Sequence, residues 1–327
     1  MSEPSSHSSS TPTSSSAPLV PAPPPVRPTW SSAAERGSVL AITTTVFLVT
    51  VLGRAPARLV ARGVAFYYWA ASPSTRRHVA DFLRRVHGRA PTTAEIYRQF
   101  LRYAQTTIDA FFFVAGKTAP FRLRSHGNEH LTRLRDEKRG AILLGAHLGS
   151  FYAMRARGAE RTLPLYAVVY TKHARRINEA FERLDPGRHA TLLEMGEGVD
   201  FAIKIREIVE QGGLVAILAD RVPATSDKGP ARSVEVDFLG AKARFPTGPY
   251  LLASMLKCPV YLAFGLYRDP DGYDLFCEPF AERIDLPRGR REEALRAVVQ
   301  QYADRVAHHA RSAPDNWFNF YDFWERG

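Results

Sequence analysis

Four short apolar runs constrain this chain more than any other feature. They are AILLG at 141–145, LYAVV at 165–169, LVAILA at 214–219 and VYLAFG at 260–265, each free of charge and each of strand length. Helical stretches fall between them, at about 149–160, 174–184, 199–211 and 247–257. Apolar strands alternating with helices predict an α/β fold, a mixed, mainly parallel sheet flanked by helices. VEVDF at 234–238 and YDLFCE at 273–278 read as further strands. Residues 290–311 read as an amphipathic helix with Leu295, Val298, Tyr302, Val306 and His309 on one face.

The first 115 residues follow other rules. Residues 1–28 hold nine Ser and eight Pro and two charges, Glu3 and Arg27. Such a segment buries too little apolar area to offset chain entropy, so 1–29 is expected to be a disordered tail. Residues 33–90 then carry nine arginines against Glu35 and Asp81, a net +7 out of +11 for the whole chain. Inside this basic block, residues 37–53 contain no charge, a length at the short limit for a bilayer span. Residues 63–72 place Phe66, Tyr67, Tyr68 and Trp69 together, in the manner of an interfacial aromatic belt. Residues 30–115 are therefore read as a helical, membrane-associating region with arginines toward phospholipid headgroups. The alternative is a buried helical hairpin. Nucleic acid is not the expected partner, because the basic residues alternate with long apolar runs. Residues 76–114 read as helical, with Val79, Phe82, Leu83 and Val86 on one stripe, a break at Pro91-Thr92, and Ile96, Phe100, Tyr103, Thr107 and Ala110 continuing it. Residues 116–327 form the α/β domain. Cys258 and Cys277 lie in apolar stretches and read as buried free thiols, and two cysteines exclude a disulfide scaffold.

Chemistry concentrates where strands end. The run at 141–145 leads into Gly145-Ala146-His147, then Leu148-Gly149-Ser150, then a helix. Ligands of open α/β sheets bind beyond the carboxyl ends of strands, and a histidine there suits a general base. Backbone amides near Gly149 and Ser150, at the helix start, are candidates for holding a developing oxyanion. Asp220-Arg221 follows the 214–219 run in the same manner. Phe245-Pro246-Thr247-Gly248-Pro249 opens a helix with Thr247 as its cap. The C-terminus, PDNWFNFYDFW at 314–324, is rich in aromatic residues and reads either as a core-sealing tail or as the wall of an acyl pocket.

Taken together, H-L-G-S at 147–150, A-D-R at 219–221, F-L-G at 238–240 with A-R-F-P-T-G-P at 243–249, and the terminal W-F-N-F-Y-D-F-W resemble the lipid A biosynthesis acyltransferase family. The resemblance runs from about Trp30 to the end and includes E-R-G-S at 35–38. Within the family the chain is most similar to the branch found beside aryl-polyene and xanthomonadin-type pigment genes. The resemblance implies a glycerol-3-phosphate-acyltransferase-like fold on the cytoplasmic face of a Gram-negative inner membrane. It implies transfer of a fatty or polyene acyl chain from acyl carrier protein, or coenzyme A, to a lipid or glycolipid hydroxyl. His147 would be the base, with no covalent acyl-enzyme, no metal and no cofactor beyond the thioester co-substrate. Arg176 and Asn178 match family positions near a substrate headgroup, and Arg221 is a further contact for phosphate or phosphopantetheine.

One position departs from the pattern. The family motif places an acid five residues after the histidine, and here that residue is Tyr152. A phenol is neutral at pH 7 and cannot balance an imidazolium, although it can orient the ring. Three readings follow: Asp220 supplies the acid, the enzyme is slow, or the protein binds acyl or lipid without catalysis. A thioesterase is a further alternative, with water in place of the acceptor.

Overall fold

The computed structural model describes residues 53–159, 163–169, 191–196, 198–222 and 232–324. The expected tail, the charge-free run up to residue 52 and the expected helix at 174–184 lie outside them.

Three helices open the described chain: α1 Arg54–Ala71, α2 Pro73–His87 and α3 Thr93–Val114. The predicted break is a true boundary. Thr92 caps α3 by accepting from the Glu95 backbone N–H, and Glu95 returns the bond to the Thr92 backbone. Such a cap is worth about 1 kcal/mol. Helix α1 buries Ala57, Ala61 and Ala65, four residues apart, and packs on α3. Methyl side chains let the two backbones approach closely. The opposite side of α1 leaves Leu59, Phe66 and Tyr67 exposed. Among the described residues no helix is long and apolar enough to cross a membrane.

The α/β domain is built on seven strands: β1 Arg122–His126, β2 Ala141–Gly145, β3 Leu165–Val169, β4 Thr191–Glu194, β5 Leu214–Leu218, β8 Val260–Arg268 and β9 Gly272–Ala281. Their order is β1-β9-β8-β2-β5-β3-β4. The pairs among β8, β2, β5, β3 and β4 are parallel, and β9 runs antiparallel to β8. The sheet is thus mixed and mainly parallel, as the alternation predicts. The helices α4 Asn128–Asp136, α5 Phe151–Ala159, α6 Val199–Glu210, α7 Gly248–Leu256 and α8 Arg291–Ser312 flank it. Sequence reading missed β1 and β4, because RLRSH and TLLE lack the long apolar run of a central strand. Both sit at sheet edges, where polar side chains and short length discourage edge pairing.

A separate hairpin, β6 Ser233–Phe238 and β7 Ala241–Pro246, turns at Leu239-Gly240 with φ of 49° and 82°. Phe245-Pro246, expected to open the helix, instead end this second strand, because two positive φ angles close a tight antiparallel turn. Thr247 stands at the start of α7, but its hydroxyl donates to the Arg232 carbonyl instead of capping the helix.

The two faces of the sheet are filled differently. Ile142, Leu144, Val215, Ile217, Leu262 and Phe264 join the main core with α6, α7, α8 and the C-terminal aromatics. The alternate residues Gly145, Ala216, Ala263 and Gly265 are smaller and, with Leu143, border a cavity. Cys258 and Cys277 are buried free thiols, as expected.

Candidate active site

β2 and β5 are neighbouring parallel strands, with Gly145 opposite Leu218. The pairing extends one residue further through the Ala219 N–H donating to the Gly145 carbonyl. His147 and Asp220 each stand two residues past their strand, so the register brings them side by side. Asp220 Oδ1 is 2.8 Å from His147 Nδ1, and Asp220 Oδ2 accepts from the His147 backbone N–H at 3.0 Å. Trp317 Nε1 also donates to Oδ2, at 3.3 Å. The Asp220 side chain is fully buried and His147 is 30% exposed.

The electrostatics of the pair follow from these contacts. Burial alone would raise the Asp220 carboxyl. The His147 ring, Arg221 and the His147 backbone N–H outweigh it and hold the group at about 2. His147 is lowered from its ordinary value by loss of water and by the Arg221 charge, against the pull of Asp220. At neutral pH the ring is therefore neutral. Nδ1–H donates to the carboxylate, which leaves the Nε2 lone pair able to accept a proton.

The loop between β2 and α5 is held from two sides. Gly149 has φ +78°, and a Cβ there would come within 2.1 Å of the Gly265 carbonyl oxygen. Gly265 in turn leaves room for the Ser150 carbonyl. The expectation that the Gly149 and Ser150 amides hold an oxyanion is corrected by the hydrogen bonding. Gly149 N–H donates to Asn316 O at 2.8 Å and Ser150 N–H to Gly265 O at 2.7 Å, so both are committed to the fold. The buried Ser150 hydroxyl accepts from the Ala153 N–H at the start of α5. From the other side, Phe318 N–H donates to the His147 carbonyl at 2.9 Å, and Trp317 bridges Leu148. Tyr302 of α8 donates to the Gly145 carbonyl at 2.6 Å and fixes the end of β2.

An apolar cavity of about 240 Å³ lies beneath α5. Its walls include Gly145, Ala146 and Leu148, on both sides of His147, and its floor includes Ala167, Ala216 and Ala263. Tyr152 belongs to this wall, and burial pushes its phenol up to about 12. The acid at the His147 Nδ1 is thus Asp220, on the adjacent strand end, while Tyr152 borders the cavity. Arg221 is half-buried; its guanidinium donates to the Phe318 carbonyl at 2.6 Å and lies 5.5 Å from the Tyr321 ring centre. Arg176 and Asn178 lie outside the described residues. Among the described residues no group of three metal-ligating side chains comes together.

The resemblance implies His147 as the base, and of the three readings left open by Tyr152 the structure sets Asp220 beside the ring; a family model speaks to the chain as a whole. The model for bacterial lipid A biosynthesis acyltransferases matches residues 39–326. The chain belongs to that family. No curated protein matches it. As a lipid A biosynthesis acyltransferase family member, it is an acyltransferase enzyme of a kind that acts on lipid. Sequence reading of this acyltransferase missed Trp317, Tyr302 and Gly265. Trp317 was seen as part of an aromatic tail, and its N–H direction has no sequence signal. The small residues of the floor did carry a signal. Gly145, Ala216, Ala263 and Gly265 interrupt otherwise bulky strands, where glycine and alanine mark a close approach or a space.

Proposed function

We propose that the protein is a membrane-associated O-acyltransferase. It would move a fatty or polyene acyl chain from an acyl carrier protein or coenzyme A thioester to a lipid or glycolipid hydroxyl. The observation that carries the reading is the hydrogen bond from the neutral His147 ring to the buried Asp220, next to an apolar cavity.

In this reading His147 Nε2 takes the proton of the acceptor hydroxyl as its oxygen attacks the thioester carbonyl. The new C–O bond forms, the tetrahedral intermediate collapses, and the C–S bond breaks. The imidazolium returns the proton to the leaving thiolate, which departs as the thiol and restores the neutral ring. Asp220 stays ionised, fixes the tautomer and balances the transient charge. The Arg221 cation acts on His147 electrostatically and is the side chain offered here to the developing oxyanion, since the Gly149 and Ser150 amides are committed. The cavity beneath α5 takes the acyl chain. The exposed Leu59, Phe66 and Tyr67 of α1, with Arg58 and Arg62 on the same helix, support a location at the cytoplasmic face of the inner membrane. The basic N-terminal block also suits an acidic carrier protein. Placement in the aryl-polyene branch belongs to the same proposal.

The test is acyl transfer from radiolabelled acyl carrier protein to a lipid extract of the source bacterium, comparing wild type with His147→Ala. The variant is expected to lose about a thousand-fold or more. Equal transfer by the two proteins removes His147 as base. Release of free acid without an acceptor replaces the transferase with a thioesterase.

A further inference from the structure

We propose that Trp317 is a positioning residue of the site, its indole N–H fixing the Asp220 carboxylate that orients His147. The inference rests on the reading of His147 as the base. Two of the hydrogen bonds to Asp220 come from His147 itself, its backbone N–H and its ring, and both belong to the histidine loop. Trp317 supplies a donor from an independent element, at 3.3 Å from Oδ2.

That element is rigidly held. Trp317 is fully buried, with ring centres of Phe82 at 4.7 Å, Phe323 at 4.8 Å and Phe238 at 5.4 Å. Its carbonyl accepts from the buried Gln99 side chain of α3. Its backbone bridges Leu148, while Asn316 and Phe318 bond Gly149 and His147. The same three residues thus hold the histidine loop through the backbone and the carboxylate through a side chain. Packing alone asks only for an aromatic ring at 317. The polar edge turned onto a fully buried carboxylate is an additional feature, since a hydrogen bond to a charged group is stronger than one to a neutral group. The other groups whose charge or dipole reaches Asp220 are His147, Arg221, Tyr250 of α7 and Tyr302 of α8. They remain in place when the indole N–H is removed.

The experiment replaces Trp317 with 3-benzothienylalanine, which keeps the bicyclic shape and exchanges N–H for sulfur. Trp317→Phe is the encodable companion, and Phe323→Leu is the control for lost packing beside the same ring. Transfer is measured with radiolabelled dodecanoyl-acyl carrier protein and a lipid extract. In parallel, the His147 ring is titrated by ¹⁵N-histidine NMR, its signals identified by their absence in His147→Ala. The sulfur isostere is expected to lower kcat about ten-fold with KM for the thioester little changed. Without the indole donor the carboxylate attracts the imidazolium more strongly. The acid limb of the pH profile and the NMR midpoint of His147 therefore move up. Phe323→Leu lowers stability and leaves the midpoint in place. The proposal falls if the isostere matches wild type in kcat and midpoint, or if kcat falls with the midpoint unmoved as in Phe323→Leu. Full transfer by His147→Ala and Asp220→Asn removes the base instead, and the NMR midpoint still decides whether Trp317 acts on Asp220.

Discussion

The molecule contains a second histidine–carboxylate pair, and setting it beside the first shows what makes one of them a site. His309 Nε2 lies 2.9 Å from Glu278 Oε1, much as His147 lies 2.8 Å from Asp220. Glu278 is held at about 2 by its His309 hydrogen bond, against burial and with help from Arg305; Asp220 is held at about 2 as well. The surroundings differ. His309 is 3% exposed, between the rings of Phe264 and Phe276 on the core face of α8. His147 is 30% exposed, beyond the end of a parallel strand, with a cavity reached by its neighbours Ala146 and Leu148. A shifted carboxylate and a short bond therefore do not mark a catalytic centre. In the proposed reading what separates them is the exposure of the ring, 30% for His147 against 3% for His309.

The comparison breaks most sharply by mutation of its two acids and bases. Asp220→Asn keeps the shape and removes the charge that fixes the His147 tautomer. Transfer is expected to fall roughly 10³- to 10⁴-fold, as for the acid of a serine-protease triad, with the circular-dichroism melt showing a folded protein. His309→Leu removes a buried partner of Glu278 and should cost about 2–3 kcal/mol of stability, read as a lower melting temperature. Its transfer rate per folded molecule should equal wild type. A loss of transfer in His309→Leu on the scale of Asp220→Asn would erase the distinction between the pairs.

Tyr152 separates what was legible in the sequence from what was not. The motif position invites Tyr152→Glu as a repair. The fold predicts damage, because the side chain borders an apolar cavity and Nδ1 of His147 already has its acid. Burying a carboxylate there should lower transfer by about ten- to a hundred-fold; an increase would show that the histidine lacks a working partner. His147 and Asp220 were both legible as residues at strand ends, since apolar runs announce buried strands. That the two strands are neighbours was not, because pairing of β2 with β5 skips over β3 and β4 in the chain. Core strands and the α2–α3 boundary were legible from apolar periodicity and the break at Pro91-Thr92. The buried face of α3 was not. It presents Gln99, Arg102, Gln105 and Asp109, and two of these polar residues meet charged partners far away in the chain, Arg102 with Asp315 and Asp109 with Arg54. Periodicity favoured Tyr103 on the buried stripe, and it is exposed.

A smaller effect tests the cavity side of the site. Ala216 leaves space on the floor beneath α5, so Ala216→Leu should shorten the acyl chain accepted. We expect about a ten-fold change in the ratio of long- to short-chain transfer, on the scale of the apolar discrimination a pocket achieves. An unchanged chain preference would place the acyl group elsewhere.

The finest test of the two pairs is pH. Asp220 and Glu278 both have carboxyl groups depressed below their unfolded values, so each adds stability above about pH 4 that is lost as pH falls toward about 2. Acid unfolding near pH 3 thus reports the two carboxylates together and cannot separate the pairs. His147 does. Its folded value is lowered from 6.5, so the unfolded chain binds the proton first, and stability declines as pH falls below about 6.5. In the proposed mechanism the same proton disables the base. The kcat/KM profile should therefore fall on its acid side with a midpoint below 6.5, and that midpoint should match the NMR titration of the His147 ring. In His309→Leu both midpoints should stay where they are. A catalytic midpoint above 6.5 would mean that the Asp220 charge outweighs burial and Arg221.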